Sequence, residues 1–315
     1  MRTPGCRWTA LFLLLILTSG IVAAEDSLKG RIDSLFAIAS SLEFRYRDLA
    51  GPAQDSSAAM STTAVPHLID RLGTPIAHER AALESIFRKI GRPAVPLLNQ
   101  ALLTTDSLQL SRVALVLGNL PDTSSVVNLL RVTQKPYYWV RYESIRALGL
   151  IRDVRAVPAV RTALADTNEL VRTIAAVAAG HLRDTSLIDA LIAVLDDPYY
   201  GVRLSAKESL AGFSCGQKGA VLFAALAQSR SPLHRRYLIS IPADDTCRYP
   251  LEKLTPFVDD PDPIVRSLAL RAAARTDPKA TAARLAGMPR DGQGQLLKQT
   301  IDDLSDHEAA TPAHP

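Results

Sequence analysis

The stretch PYYWVRYESIRALG at residues 136–149 decides the fold, because parts of it return at a nearly fixed interval. PYYWVR at 136–141 comes back as PYYGVR at 198–203, 62 positions later. An arginine, often after a valine, opens an alanine-rich apolar segment at Arg80, Arg112, Arg141, Arg172, Arg203, Arg235 and Arg266, with separations of 32, 29, 31, 31, 32 and 31. A period of this length marks an array of small structural units rather than one irregular domain.

Each period holds two helices. In AVPAVRTALAD (156–166) Val157, Val160 and Leu164 recur at helical spacing, and in LVRTIAAVAAGHL (170–182) Val171, Ala175, Ala178 and Ala179 do the same. Pro158 suits the first turn of a helix, where an amide has no acceptor within the helix. Alanine in the second helix joins high helix propensity to a small side chain, which lets neighbouring helices approach closely. Asp lies six positions before the arginine at Asp106, Asp166, Asp197 and Asp260, and Pro lies five before it at Pro75, Pro136, Pro198 and Pro261. The residue before a proline is driven out of the helical region, so this turn ends the first helix and redirects the chain into the second. Asp and Arg are expected to pair within or between repeats; anion binding by the arginine column is the alternative.

One helix pair cannot bury its apolar face, whereas a row of pairs shares a continuous core. Seven arginine-anchored pairs cover residues 62–287. Before them, 25–61 reads as an N-terminal helical cap, RIDSLFAIASSLEFRYRDL at 31–49, and a Gly/Pro/Ser/Ala linker over 51–63. After them, 288–315 reads as a last helix at 293–304 and a disordered tail.

The pattern DPxxxVRxxAxxALG, nearly complete from Pro136 through Val140, Arg141, Ala147 and Leu148 to Gly149, resembles the HEAT repeat in the short form of bacterial HEAT-like phycobilin lyases. The resemblance implies an all-α fold, a right-handed α-α superhelix of HEAT/armadillo-like solenoid type with about seven two-helix repeats. It implies binding or scaffolding more often than chemistry, and no pigment-site motif matches these residues.

The first 24 residues stand apart. MRTPGCRW carries two arginines, ALFLLLIL is a short apolar core, and Val22-Ala23-Ala24 supplies small residues before Glu25. A secretory signal peptide cleaved after about Ala24 is expected, which sends the chain across the inner membrane to the periplasm. An uncleaved anchor is the alternative, although the apolar run is short for a span. The formal charge of +4 includes Arg2 and Arg7, so the chain beyond Ala24 carries about +2. With no basic block, it offers nucleic acid little to hold.

Cys215 and Cys247 are the cysteines beyond the signal segment, each twelve residues after an arginine of the column. In an oxidising compartment a disulfide is expected. Two free thiols are the main alternative, because equivalent points of stacked repeats tend to lie too far apart to bond, and a metal site is a lesser one. Pro242, seven residues after Arg235, is expected to cut the second helix of that repeat short.

Signals of catalysis are weak. Gly212-Phe213-Ser214-Cys215-Gly216 fits the G-x-S-x-G nucleophile elbow, but that motif needs a preceding strand and the segment before it reads as helix. The six histidines show no ligand spacing, and His181 sits at a helix end, where terminal carbonyls account for it. The acidic run 259–263 occupies the place of a repeat turn. Neither a catalytic residue, nor a metal, nor a cofactor is expected.

What the repeat leaves unexplained is the rings of Tyr137, Tyr138, Trp139, Tyr199 and Tyr200, since DTNELVR (166–172) and DPDPIVR (260–266) make the same turn without them. Local packing and partner binding are both open, Tyr and Trp being favoured contact residues. Tyr142, Glu143, Arg146, Ile174, Val177, Leu204 and Glu208 follow the arginines on second helices and form a mixed surface on which a peptide or protein is a candidate partner. A periplasmic adaptor or scaffold is the expected function. An enzyme with dispersed groups and a small-ligand or carbohydrate binder are the alternatives.

Overall fold

The computed structural model describes residues 27–103 and 106–286. The expected signal peptide, the helix at 293–304 and the tail lie outside those residues. The described residues are all-α, with no strand among them, and form two units, up to Ala147 and from Leu148.

In the first unit, α1 (residues 27–39) and α2 (Ala50–Ala59) form the N-terminal cap. Three helix pairs follow: α3 (Val65–Asp70) with α4 (Ala77–Ile90), α5 (Val95–Ala101) with α6 (Ser107–Asn119), and α7 (Val126–Val132) with α8 (Tyr138–Ile151). The division between the units falls inside α8. The second unit continues with α9 (Val157–Ala163) and α10 (Glu169–Leu182), α11 (Ile188–Ala193) and α12 (Tyr200–Ala211), α13 (Cys215–Gln228) and α14 (Pro232–Asp244), α15 (Leu251–Leu254) and α16 (Pro263–Thr276), then α17 (Pro278–Ala286). This is the HEAT/armadillo-like α-solenoid class, with seven arginine-bearing pairs after the cap among the described residues.

The linker expected at 51–63 is replaced by α2, which packs on α4. No stripe of large apolar residues announces α2, because it is buried through Ala53 and Ser57, whose hydroxyl donates to the Ala53 carbonyl at 2.8 Å.

Second helices pack on one another within each unit, as α4 does on α6 and α10 on α12. Glycine sets how closely. A Cβ on Gly149 would stand 2.8 Å from the Cα of Ala178, and one on Gly180 would stand 2.8 Å from the Cβ of Ser209. The apolar faces behave largely as their spacing implies: Val160, Leu164, Val171, Ala175, Ala178 and Ala179 are buried, and Val157 is half-buried.

The turns use the expected residues. Asp166, Asp197 and Asp260 each accept the backbone amide two residues on, at 2.9, 2.8 and 2.9 Å. Asp106, Asn168 and Asp262 cap their helices by accepting amides of the first turn. Each such cap contributes about 1 kcal/mol. The arginines close the turn behind them. Nη1 of Arg172 donates to the Asp166 carbonyl at 2.9 Å, and Nη1 of Arg141 donates to those of Lys135 and Pro136 at 3.0 and 2.7 Å.

The pair α13–α14 is irregular, though not in the expected way. α14 runs 13 residues and carries Pro242 inside it, so the proline does not cut it short. Pro242 lies in its last turn, two residues before the helix ends at Asp244, where little helix remains to lose. The unusual member is α13, at 14 residues, where α9 has 7 and α11 has 6. Cys215 opens α13 and bonds Cys247, with a Cα–Cα distance of 5.7 Å. The geometric objection fails because Cys247 lies beyond the end of α14, in a connection that returns to the start of α13. Beside the bridge, Lys218 is 1% exposed and paired with Asp245, which also accepts the Cys247 amide at 3.1 Å and the Tyr249 hydroxyl at 3.2 Å.

Candidate functional site

At the start of α8 the backbone turns at Pro136 and four rings gather. Tyr137 and Tyr138 lie 5.8 Å apart between centroids, Tyr138 and Trp139 5.1 Å, and Trp139 meets Tyr142 edge-on at 5.2 Å. Such pairs hold one another in place, yet Tyr137 and Trp139 each remain 36% exposed. These two rings wall a cleft of about 120 Å³ with Leu108, Ser111 and Arg112 of α6 and Glu143 of α8.

The polar groups of the cleft are unevenly satisfied. Nε of Arg146 donates to Oε2 of Glu143 at 2.7 Å, and its Nη2 donates to the Leu115 carbonyl at 3.0 Å. Arg146, a candidate from its sequence position, is therefore engaged in holding α8 to α6. Burial pushes the Glu143 carboxyl above its ordinary range; Arg146 and Arg112 oppose that shift and Glu84 adds to it. Burial likewise raises the Tyr142 phenol, helped by Glu143. Nε of Arg112 is buried without a hydrogen-bond partner.

In the second unit PYYGVR takes another form. Gly201 stands where the first stretch has Trp139, and a Cβ there would come within 2.9 Å of the Tyr199 ring. Glycine thus leaves room for Tyr199 to lie over the first turn of α12, where a larger residue would make the ring shift. Tyr200 lies 5.8 Å from the Arg203 guanidinium and is 60% exposed. The structure therefore gathers Tyr137, Tyr138, Trp139 and Tyr142 into one cluster, and Tyr199 and Tyr200 belong to a separate turn of their own unit. Of the other surface positions, Ile174, Val177 and Leu204 are half-buried and Glu208 is exposed. Arg112 is one of the arginine column, for which anion binding is the alternative expectation; its unpartnered Nε sets it apart from Arg172, which is paired.

Ser214 follows a helix instead of a strand and sits at the N-cap of α13, its amide and hydroxyl donating to Oε1 of Gln217 at 3.0 and 2.8 Å. Among the described residues no group of three or more His, Cys, Asp or Glu is arranged to hold a metal ion, and no helix is long and apolar enough to cross a membrane. Ring faces and an unpaired guanidinium N–H suit recognition.

Residues 127–211, from α7 to the end of α12, match HEAT repeats. Similar solved structures include human deoxyhypusine hydroxylase, at 17% identity and a TM-score of 0.34, covering 84% of this chain and 100% of that one. The CpcE–CpcF complex of phycocyanin lyase from Nostoc is also similar, at 17% identity and a TM-score of 0.38, covering 77% and 94%. An archaeal HEAT-like repeats protein from Thermococcus onnurineus has 14% identity and a TM-score of 0.41, covering 67% and 95%. No curated protein matches the chain. The fold is all-α and HEAT-like, and the match to HEAT repeats lies in residues 127–211.

Proposed function

We propose that this chain is a non-enzymatic adaptor of the periplasm that binds a protein or peptide through the ring cluster at the start of α8. The observation that carries this reading is the cleft between Tyr137 and Trp139, two large rings left in part to solvent beside an arginine with a buried, unpaired N–H. Rings of this kind give large contact area at low cost in side-chain freedom, and they dominate binding energies at many interfaces. Export follows from the signal-like segment at 1–24.

Affinity capture from an envelope fraction tests it, using the full chain and the triple variant Tyr137→Ala, Tyr138→Ala, Trp139→Ala. At about 2 kcal/mol for a central aromatic contact, the variant is expected to hold its partner about thirtyfold more weakly. A folded triple variant that recovers the same partner in the same yield would refute the reading.

A further inference from the structure

The arginine column has a direction. Two of its members reach forward to the Asp six places before the next arginine. Arg172 grips Asp197 in this way, Nε to Oδ2 at 2.7 Å and Nη2 to Oδ1 at 3.0 Å, and Arg235 pairs with Asp260 by the same step. The planar guanidinium suits this two-point grip on a carboxylate. Two places in the forward column break the rule, Lys135 opposite Arg112 and Ser229 opposite Arg203. Those same two arginines carry a buried Nε without a hydrogen-bond partner.

The two differ in what covers them. The Arg203 guanidinium lies 5.3 Å from the Tyr237 ring and 5.8 Å from the Tyr200 ring, so aromatic faces occupy the carboxylate's place. Arg112 instead borders the cleft of about 120 Å³, several times the ~30 Å³ that a water takes up in the liquid. We infer that this cleft receives the side-chain carboxylate of an Asp or Glu from a partner polypeptide, gripped by Arg112 as Arg172 grips Asp197. Glu143 is close enough for its charge to interact with Arg112, but its Oε2 is bound by Arg146 within its own helix and Nε of Arg112 is left without a hydrogen bond. Lys135, at the turn beside the cleft, adds positive charge. Tyr137 and Trp139 supply ring surface for the residues flanking the carboxylate, which a free small anion would not use. The inference rests on the proposed polypeptide-binding role and adds the chemistry that the site selects.

The probe is N-acetyl-Asp-Pro-Tyr-amide, which copies Asp197-Pro198-Tyr199 without a terminal charge. It is titrated against the full chain beside its Asn counterpart and sodium acetate, following the arginine Nε–H resonances by NMR. The Asp peptide is expected to bind at least tenfold more tightly than the Asn peptide or acetate and to shift the Arg112 Nε–H. In Lys135→Asp the chain supplies its own carboxylate, so the unfolding temperature should rise and the Asp peptide should lose at least tenfold in affinity. Arg112→Lys, which keeps the charge without the fork, should lose binding with no gain in unfolding temperature. Equal binding of the Asp and Asn peptides would overturn the inference, as would acetate binding as tightly as the Asp peptide, no binding by either peptide, or unchanged Asp-peptide binding in folded Lys135→Asp. If both peptides bind equally and both are lost in Trp139→Ala, the carboxylate grip is wrong and the aromatic adaptor stands.

Discussion

At the scale of single residues, the Arg172–Asp197 pair links neighbouring turns through two hydrogen bonds. The two side chains are 16% and 7% exposed. Burial would raise the Asp197 carboxyl, but hydrogen bonds from Arg172 and the Tyr199 amide, with the charges of Arg172 and Arg203, outweigh it and hold the carboxyl below its usual range. Removing one partner of a buried pair typically costs about 3–5 kcal/mol, since the other is left uncompensated. Asp197→Asn is therefore expected to lower stability by about 3 kcal/mol in urea unfolding, and a change under about 1 kcal/mol would show the pair to be dispensable. His181 gives a pH dependence. Burial, and then the charge of Arg152, lower its pKa, so the unfolded chain takes up its proton at higher pH than the folded one. That term is complete above the unfolded value near 6.5 and is lost as the pH falls from there through the folded value. His181→Gln should flatten the fall in unfolding temperature between pH 7 and 5; an unchanged slope would contradict this.

At the scale of elements, the disulfide ties the entry of α13 to the connection beyond α14 across 32 residues of chain. Closing a loop of that length restricts the unfolded state by about 3–4 kcal/mol in the entropy model. The double variant Cys215→Ser, Cys247→Ser should lose stability on that scale, and thiol titration of the denatured wild type should find these cysteines only after reduction. Detection of both thiols without reductant would mean the bridge does not form. The helix pairs were legible from the arginine, Asp and Pro columns because each residue does a local job: it caps, it stops, or it closes the turn behind it. α2 and the length of α13 were not legible. The first packs through Ala53 and Ser57 instead of an apolar stripe, and the second accompanies a bridge and a buried Lys218–Asp245 pair that join residues distant in sequence.

At the scale of the molecule, the repeat builds a scaffold and its exceptions build the site. The rings at 137–139 stood out because the turn does not need them. Their cleft did not, because it depends on Lys135 interrupting the Asp column, and the interruption acquires meaning only once Arg172 is seen to grip the Asp of the following turn. The central claim is that a polypeptide lies on this cleft. A photoreactive benzoylphenylalanine in place of Tyr137 tests it most directly in living cells, with the same substitution at Val154, 68% exposed and not among the residues that line the cleft, as control. A discrete light-dependent protein adduct at position 137 that is absent at 154 is the predicted result. No adduct at 137, or the same adducts at both positions, would contradict it.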